Sequence, residues 1–223
     1  MAEGTRQKSG VIMFMGPPGS GKGTQAHFVQ KSLGFERIET GAILRAMRTE
    51  NTPIAKMVTE MIDAGNLAPP PLVAQLVINR AKEILASGNG VVFDGSPRTL
   101  FEVEELLKAL NKDYAGKILT IALRVPIDNA RKRLLIRLVC KQCNMPATKN
   151  QTKCDRCGGE LVKRVDDDSV AMENRWDEYN FRTLPVINYL DSLGLVEQIN
   201  GARSVEEVAK DVEKAIRKRV FHE

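Results

Sequence analysis

The amino-acid sequence predicts an α/β protein built on a doubly wound parallel sheet. Three observations carry that expectation. Short all-apolar runs alternate with segments of helical periodicity, the pattern of a sheet buried on both faces. The first apolar run breaks directly into a glycine-rich loop that opens a helix. The length, 223 residues, suits one such domain with one or two short inserts.

The elements follow in order. Val11–Met15 is a continuous apolar run, expected as a buried strand, and Ala26, Val29 and Leu33 then recur at helical spacing. Phe35–Ile38 fits a second strand. From Thr40 to about Ala68 the spacing is helical (Ile43, Leu44, Met47, then Ile54, Met57, Val58, Met61, Ile62), interrupted near Pro53 and closed by the triplet Pro69–Pro71. A helix over Leu72 to about Leu85 precedes a short strand at Val91–Phe93 that ends in Asp94-Gly95. Next come a helix over Phe101–Leu110, a strand at Ile118–Leu123, and a helix from about Asn129 into a cysteine-bearing block. A long helical stretch from Ser169 to Leu193, a strand at Leu195–Ile199 and a last helix complete the chain. Ser204 and Glu207 form a capping box for that helix, whose Val205, Val208, Val212 and Ile216 make one apolar stripe.

Composition narrows the function. Hydrophobic residues are 43% and charged residues 27%, enough for a packed core, and no apolar run approaches the roughly 18 residues of a membrane span. A cytoplasmic protein without a membrane partner is expected. The net charge of +5 suits a polyanionic ligand without choosing between nucleotide and nucleic acid. All four cysteines lie between Cys140 and Cys157, a clustering that points to metal in a reducing compartment rather than to disulfides.

The loop Gly16–Thr24 reads GPPGSGKGT. Its glycines let successive N–H groups point inward at phosphate oxygens, Lys22 adds a positive charge and Thr24 a hydroxyl. The strict P-loop pattern GxxxxGK[ST] is not met, because Gly23 stands at the hydroxyl position. Cys140-Lys-Gln-Cys143 and Cys154-Asp-Arg-Cys157 are two C-x2-C knuckles ten residues apart. Each offers two thiolates to one tetrahedral ion, which makes a closed structural zinc site with no position left for catalysis. Residues 140–164 are net positive and a zinc ribbon can bind nucleic acid. No Phe, Tyr or Trp lies between Arg137 and Arg175 to stack on bases, so no nucleic-acid partner is expected.

Gly16–Gln25 resembles the GxPGxGKGTQ loop of adenylate kinases and related nucleoside monophosphate kinases. Four further segments in order extend the resemblance over nearly the whole chain: Thr40–Arg45 (TGxxLR), Asp63–Leu67 (DAGxL), Asp94–Thr99 (DGFPRT) and Arg164–Asp167 followed by Arg175. The cysteine block is similar to the zinc-bearing lid of many bacterial members. The resemblance implies a P-loop core over 1–39, 69–136 and 168–223, a helical monophosphate-binding insert over 40–68 and a zinc lid over 137–167. It implies reversible transfer, ATP plus AMP giving two ADP, with Mg²⁺ and structural Zn²⁺, by a monomer.

The implied roles fall on particular residues. Gly19, Ser20, Gly21, Lys22, Gly23 and Thr24 would hold the donor phosphates, with Arg133 against the donor base and Arg203 approaching the same nucleotide. Lys22, Arg98, Arg137, Arg164 and Arg175 would surround the transferring group. Thr40, Arg45, Leu67, Gly95, Arg98, Glu102, Arg164 and Arg175 would bind AMP. Asp94 would hold Mg²⁺ through water, and Cys140, Cys143, Cys154 and Cys157 would bind zinc. Phosphoryl transfer needs charge neutralisation and exclusion of water more than a protein nucleophile, so a set of arginines is the expected machinery.

Three positions depart from the family pattern: Ala42 where an acid is usual, Ser96 in place of the Phe of DGFPRT, and Glu102 where adenylate kinases have Gln. A Gln amide can pair with both adenine N6–H and N1, whereas an ionised Glu only accepts and suits the adjacent donors of guanine. A mismatched buried polar group costs about 1–3 kcal/mol. The alternatives are a kinase of the same fold acting on another nucleoside monophosphate, GMP first, and, from another class, an ATP-sensing zinc-ribbon module without turnover.

Overall fold

A computed structural model describes residues 9–114, 116–143, 146–147, 151–155, 157–163 and 169–223. The apolar runs form one five-stranded parallel sheet of β1 (Val11–Met15), β2 (Glu36–Glu39), β3 (Val91–Asp94), β4 (Ile118–Arg124) and a strand at Val196–Asn200, in the order β2-β3-β1-β4 with Val196–Asn200 at the far edge. Every pair is parallel. The three inner strands are buried almost throughout because helices cover both faces, which is why they read as continuous apolar runs.

One face is covered by α1 (Lys22–Leu33) and the C-terminal helix Val205–Ile216, which enclose Ile12, Phe14, Val92, Leu119 and Ile121. The other is covered by helices between residues 40 and 114 and by the helix Leu184–Ser192, enclosing Met13, Met15, Val91 and Phe93. Alternate residues of each strand serve opposite cores, as the pleat requires.

The segment after β2 runs as α2 (Thr40–Ala46), a 3₁₀ turn over Met47–Thr49 and α3 (Pro53–Asp63). Thr52 caps α3 by accepting from the N–H of Ala55, and Pro53 opens the helix. The turn after α3 needs glycine: Gly65 has φ +82°, and a Cβ there would meet the backbone of Ala171. The next helix, α4 (Pro70–Ala86), starts inside the proline triplet rather than at Leu72, because prolines cost nothing in a first turn, where N–H groups lack intrahelical partners. Beyond α5 (Leu100–Tyr114), α6 (Ile127–Leu135) ends short of the cysteines, contrary to the expected continuous helix. The chain becomes a strand instead, β5 (Leu138–Cys140), antiparallel to β6 (Leu161–Lys163).

The C-terminal half holds α7 (Ser169–Glu178), a π turn over Tyr179–Thr183, α8 (Leu184–Ser192), β7 (Val196–Asn200) and α9 (Val205–Ile216). Both halves of the Ser204–Glu207 capping box form. Val208, Val212 and Ile216 are buried, but Val205 is exposed at the helix start and does not extend the stripe. Among the described residues no helix is long and apolar enough to cross a membrane.

Candidate active site and metal centre

All five strands point their C-terminal ends to one side, the edge where parallel sheets bind ligands. There the β1–α1 loop, α2, the β3–α5 turn, α6, the cysteine-bearing segment and the start of α9 surround a cleft of about 1170 Å³. That exceeds the roughly 300–1,000 Å³ of a typical single-ligand pocket.

The loop is shaped for anions. Gly19, at φ +79°, passes against the backbone of Ala130, where a side chain would collide. Gly21 starts α1 in the left-handed region and offers no side-chain cap, so the first N–H groups of the helix remain for a ligand. Lys22 folds back over the loop, its Nζ donating to Gly16 O at 2.6 Å and Pro17 O at 2.9 Å. Burial foremost, together with the positive charges of Arg98, Arg175 and Arg137 and against the opposing effect of Asp94, lowers its pKa to about 7. Cations from the α6–β5 connection (Arg137), α7 (Arg175) and the β3–α5 turn (Arg98) thus converge on Lys22 from separate elements.

Every described residue expected in the site lines this cleft: Gly19–Thr24, Thr40, Arg45, Leu67, Asp94, Gly95, Arg98, Glu102, Arg133, Arg137, Arg175 and Arg203. Arg164 lies outside the described residues. Arg98 is braced by its Nε donating to Gly95 O at 2.7 Å and by Thr183, whose hydroxyl donates to its carbonyl. Arg133 is not a solvated surface charge, since Nη1 donates to Gly201 O at 2.9 Å across the end of β7. Arg203 pairs with Asp211 on α9.

The three departures acquire physical content. The Ser96 hydroxyl meets that of Thr40 at 2.7 Å, both side chains buried, which ties α2 to the β3–α5 turn. Glu102 is buried and serves the start of its own helix. One oxygen accepts from the N–H of Arg98 at 2.9 Å, and the other accepts from the Thr99 hydroxyl at 3.0 Å. Burial raises its pKa, partly offset by those two bonds. Ala42 is followed by no acid of its own, but Glu39, at the end of β2, reaches Arg45 at 3.3 Å and Arg37 at 3.1 Å. Arg37, which also pairs with Asp94, was not anticipated from the sequence. A charged residue in a short strand reads as an edge position; only the pairing of β2 with β3 turns it toward the cleft.

The cysteines form a compact cluster with all four Sγ atoms within 4.8 Å of one another. Nearest pairs lie at 3.4–3.5 Å. A tetrahedral zinc with 2.3 Å bonds to sulfur needs sulfurs about 3.8 Å apart, so the cluster fits the ion. The backbone N–H of Cys143 and then that of Gln142 lower the Cys140 thiol to about 6, favouring the thiolate that a metal requires. The scaffold is the β5–β6 hairpin together with the knuckle turn, in which Gly158 N–H donates to Cys154 O at 2.8 Å.

A glycine-rich loop at the C-terminal edge of a doubly wound parallel sheet, with a half-buried lysine and arginines gathered over it, defines a P-loop nucleotide-binding protein. Comparison with known proteins narrows this. The adenylate kinase family model matches residues 14–195. The adenylate kinase of Archaeoglobus fulgidus is 35% identical over 216 residues, 93% of this chain and 98% of that protein. That of Carboxydothermus hydrogenoformans is 36% identical over 215 residues, covering 93% and 99%. A third, from Thermodesulfovibrio yellowstonii, is 34% identical over 210 residues. The chain belongs to the adenylate kinase family and is a phosphotransferase, which sets aside the non-catalytic sensor.

Proposed function

We propose that the chain catalyses the reversible reaction ATP + AMP = 2 ADP by direct in-line transfer, with magnesium. The observation that carries this is the crowding of cations around Lys22, which burial and three arginines hold at a pKa of about 7. A site that disfavours its own charge this strongly is matched to a polyanion that restores it. The loop N–H groups and Lys22 receive the donor phosphates. Arg45 and Arg98 hold the acceptor phosphate, and Arg137, Arg164 and Arg175 surround the group in transfer. Arg133 lies toward the donor base and Arg203 toward the same nucleotide; Thr40, Leu67 and Gly95 line the acceptor side.

An oxygen of the acceptor phosphate attacks the γ-phosphorus while the bond to the β–γ bridging oxygen breaks. The electron pair leaves on the new diphosphate, so no protein nucleophile is needed. The arginines neutralise the moving charge in a site from which water is excluded. Asp94 would hold magnesium's water shell, the ion neutralising phosphate charge when bound. The four cysteines would hold zinc, giving a small segment the stability its few apolar residues cannot. Residues 40–68 close over the acceptor and 137–167 over the donor, around a core of 1–39, 69–136 and 168–223. Cysteines gathered as metal ligands rather than joined in disulfides suit a reducing compartment, and a cytoplasmic location goes with this reading.

Glu102 favours AMP as acceptor in this reading. Guanine would need the lone pairs of a carboxylate that already accepts from Arg98 N–H and the Thr99 hydroxyl. The test is initial transfer rates with Mg-ATP against AMP, GMP, CMP and UMP, on zinc-loaded protein. Preference for AMP is the expected result. Preference for GMP would make Glu102 a guanine reader, and no turnover with any of the four would overturn the proposal.

A further inference from the structure

Beside the phosphate loop, Asp94 belongs to an ion cluster whose other members, Arg37 and Glu39, lie outside the sequence motifs. Arg37 extends from β2 to Asp94 at the end of β3, and the same Nη2 stands 3.1 Å from Glu39 Oε2. Its side chain is only 8% exposed, and its Nε is buried with no hydrogen-bond partner among the described residues. The cluster rests on the first turn of α1: a Cβ at Gly23 would lie 3.2 Å from Asp94 Oδ2 and 3.3 Å from Arg37 Nη2. Glycine at the position where the strict loop pattern puts a hydroxyl therefore makes room for a guanidinium. Glu39 stands opposite Asp94 in the β2–β3 register, so Arg37 has two carboxylates within reach of one nitrogen.

A buried arginine needs a carboxylate partner at all times, because stripping one from it leaves an uncompensated charge. Asp94 is also the group assigned above to magnesium's water shell, and the present inference rests on that assignment. We propose that Arg37 is a positioning residue that competes with the hydrated metal for Asp94, and that Glu39 takes over the guanidinium when the metal arrives. Before metal binding the ion pair keeps Asp94 neutralised and fixed beside the loop. On binding, Asp94 is released without leaving Arg37 unpaired. The exchange lowers the affinity of the nucleotide complex for the metal, and Glu39 limits that loss.

The test uses Mn²⁺ as the probe, titrated by electron paramagnetic resonance into the full zinc-loaded chain saturated with a non-transferable ATP analogue. Arg37→Gln should tighten Mn²⁺ binding by roughly five-fold, about 1 kcal/mol. Glu39→Gln, which removes the second partner, should weaken it several-fold. Asp94→Asn should weaken it too, and in that background Arg37→Gln should change nothing. A purely Coulombic effect of the arginine charge would persist there, and that result would overturn the exchange. Unchanged or weaker binding in Arg37→Gln, with Asp94→Asn still weakening it, overturns the role of Arg37 alone. Unchanged binding in Asp94→Asn removes the assignment of Asp94 and the proposal with it. If Arg37→Gln does not fold, unchanged binding in Glu39→Gln is the overturning result.

Discussion

Lys22 shows how a single side chain reports on the whole site. Its ordinary pKa is far above neutrality, and burial among arginines brings it to about 7. A triphosphate favours the charged form and raises the value again. At pH 8, where the lysine of the unliganded protein is mostly neutral, ATP binding should take up a proton; at pH 6, where it is already charged, it should not. Calorimetry in two buffers of different ionisation enthalpy measures this, and Lys22→Met should abolish the difference between the two pH values. Arg98 acts differently, its guanidinium held by Gly95 O at the mouth of the cleft. Arg98→Ala should lower the transfer rate by about 10²-fold, the usual cost of losing one preorganised charge-stabilising donor. The melting temperature should barely move. A large drop in stability with a proportionate loss of rate would mean that Arg98 is structural.

Among the elements, α9 depends on its first turn. Ser204 accepts from the N–H of Glu207 at 3.3 Å, and Glu207 returns the bond to the N–H of Ser204 at 3.1 Å. Ser204→Ala should cost about 1 kcal/mol in denaturant unfolding. The loss should appear in global stability, because Val208, Val212 and Ile216 of this helix close one face of the sheet. α5 shares the logic through Thr99 and Glu102, whose carboxylate is committed to the N-terminus of its own helix. The β5–β6 hairpin is the opposite case: three residues per strand, with its cysteines rather than an apolar core at one end.

That contrast sets an expectation for the whole molecule. The parallel sheet has two apolar cores, one on each face, and neither includes a cysteine. Removing zinc should therefore leave the far-ultraviolet spectrum largely intact while transfer activity falls steeply. Metal release by a thiol-reactive reagent, followed by a colorimetric dye, should return a single zinc per chain. Loss of cooperative unfolding across the whole chain after chelation would show instead that the cluster stabilises the core as well. Transfer and stability separate here because the cleft draws on segments that the cores do not include.

Much of this was legible in the sequence for one physical reason: local pattern encodes local structure. Continuous apolar runs such as Val11–Met15 announce strands covered on both faces, GPPGSGKGT announces a glycine-rich loop that opens a helix, and paired C-x2-C knuckles announce four sulfurs brought together. The end of α6 at Leu135 was not legible, because its apolar periodicity runs on into residues that pair as strand. Nor was the fate of individual polar groups. Ser96 and Thr40 stand 56 residues apart and share one buried bond; Glu102 turns to its own helix; Arg37 meets Asp94 only because β2 lies against β3. Which partner a charge finds is decided by strand order and register, and these exist only once the chain has folded.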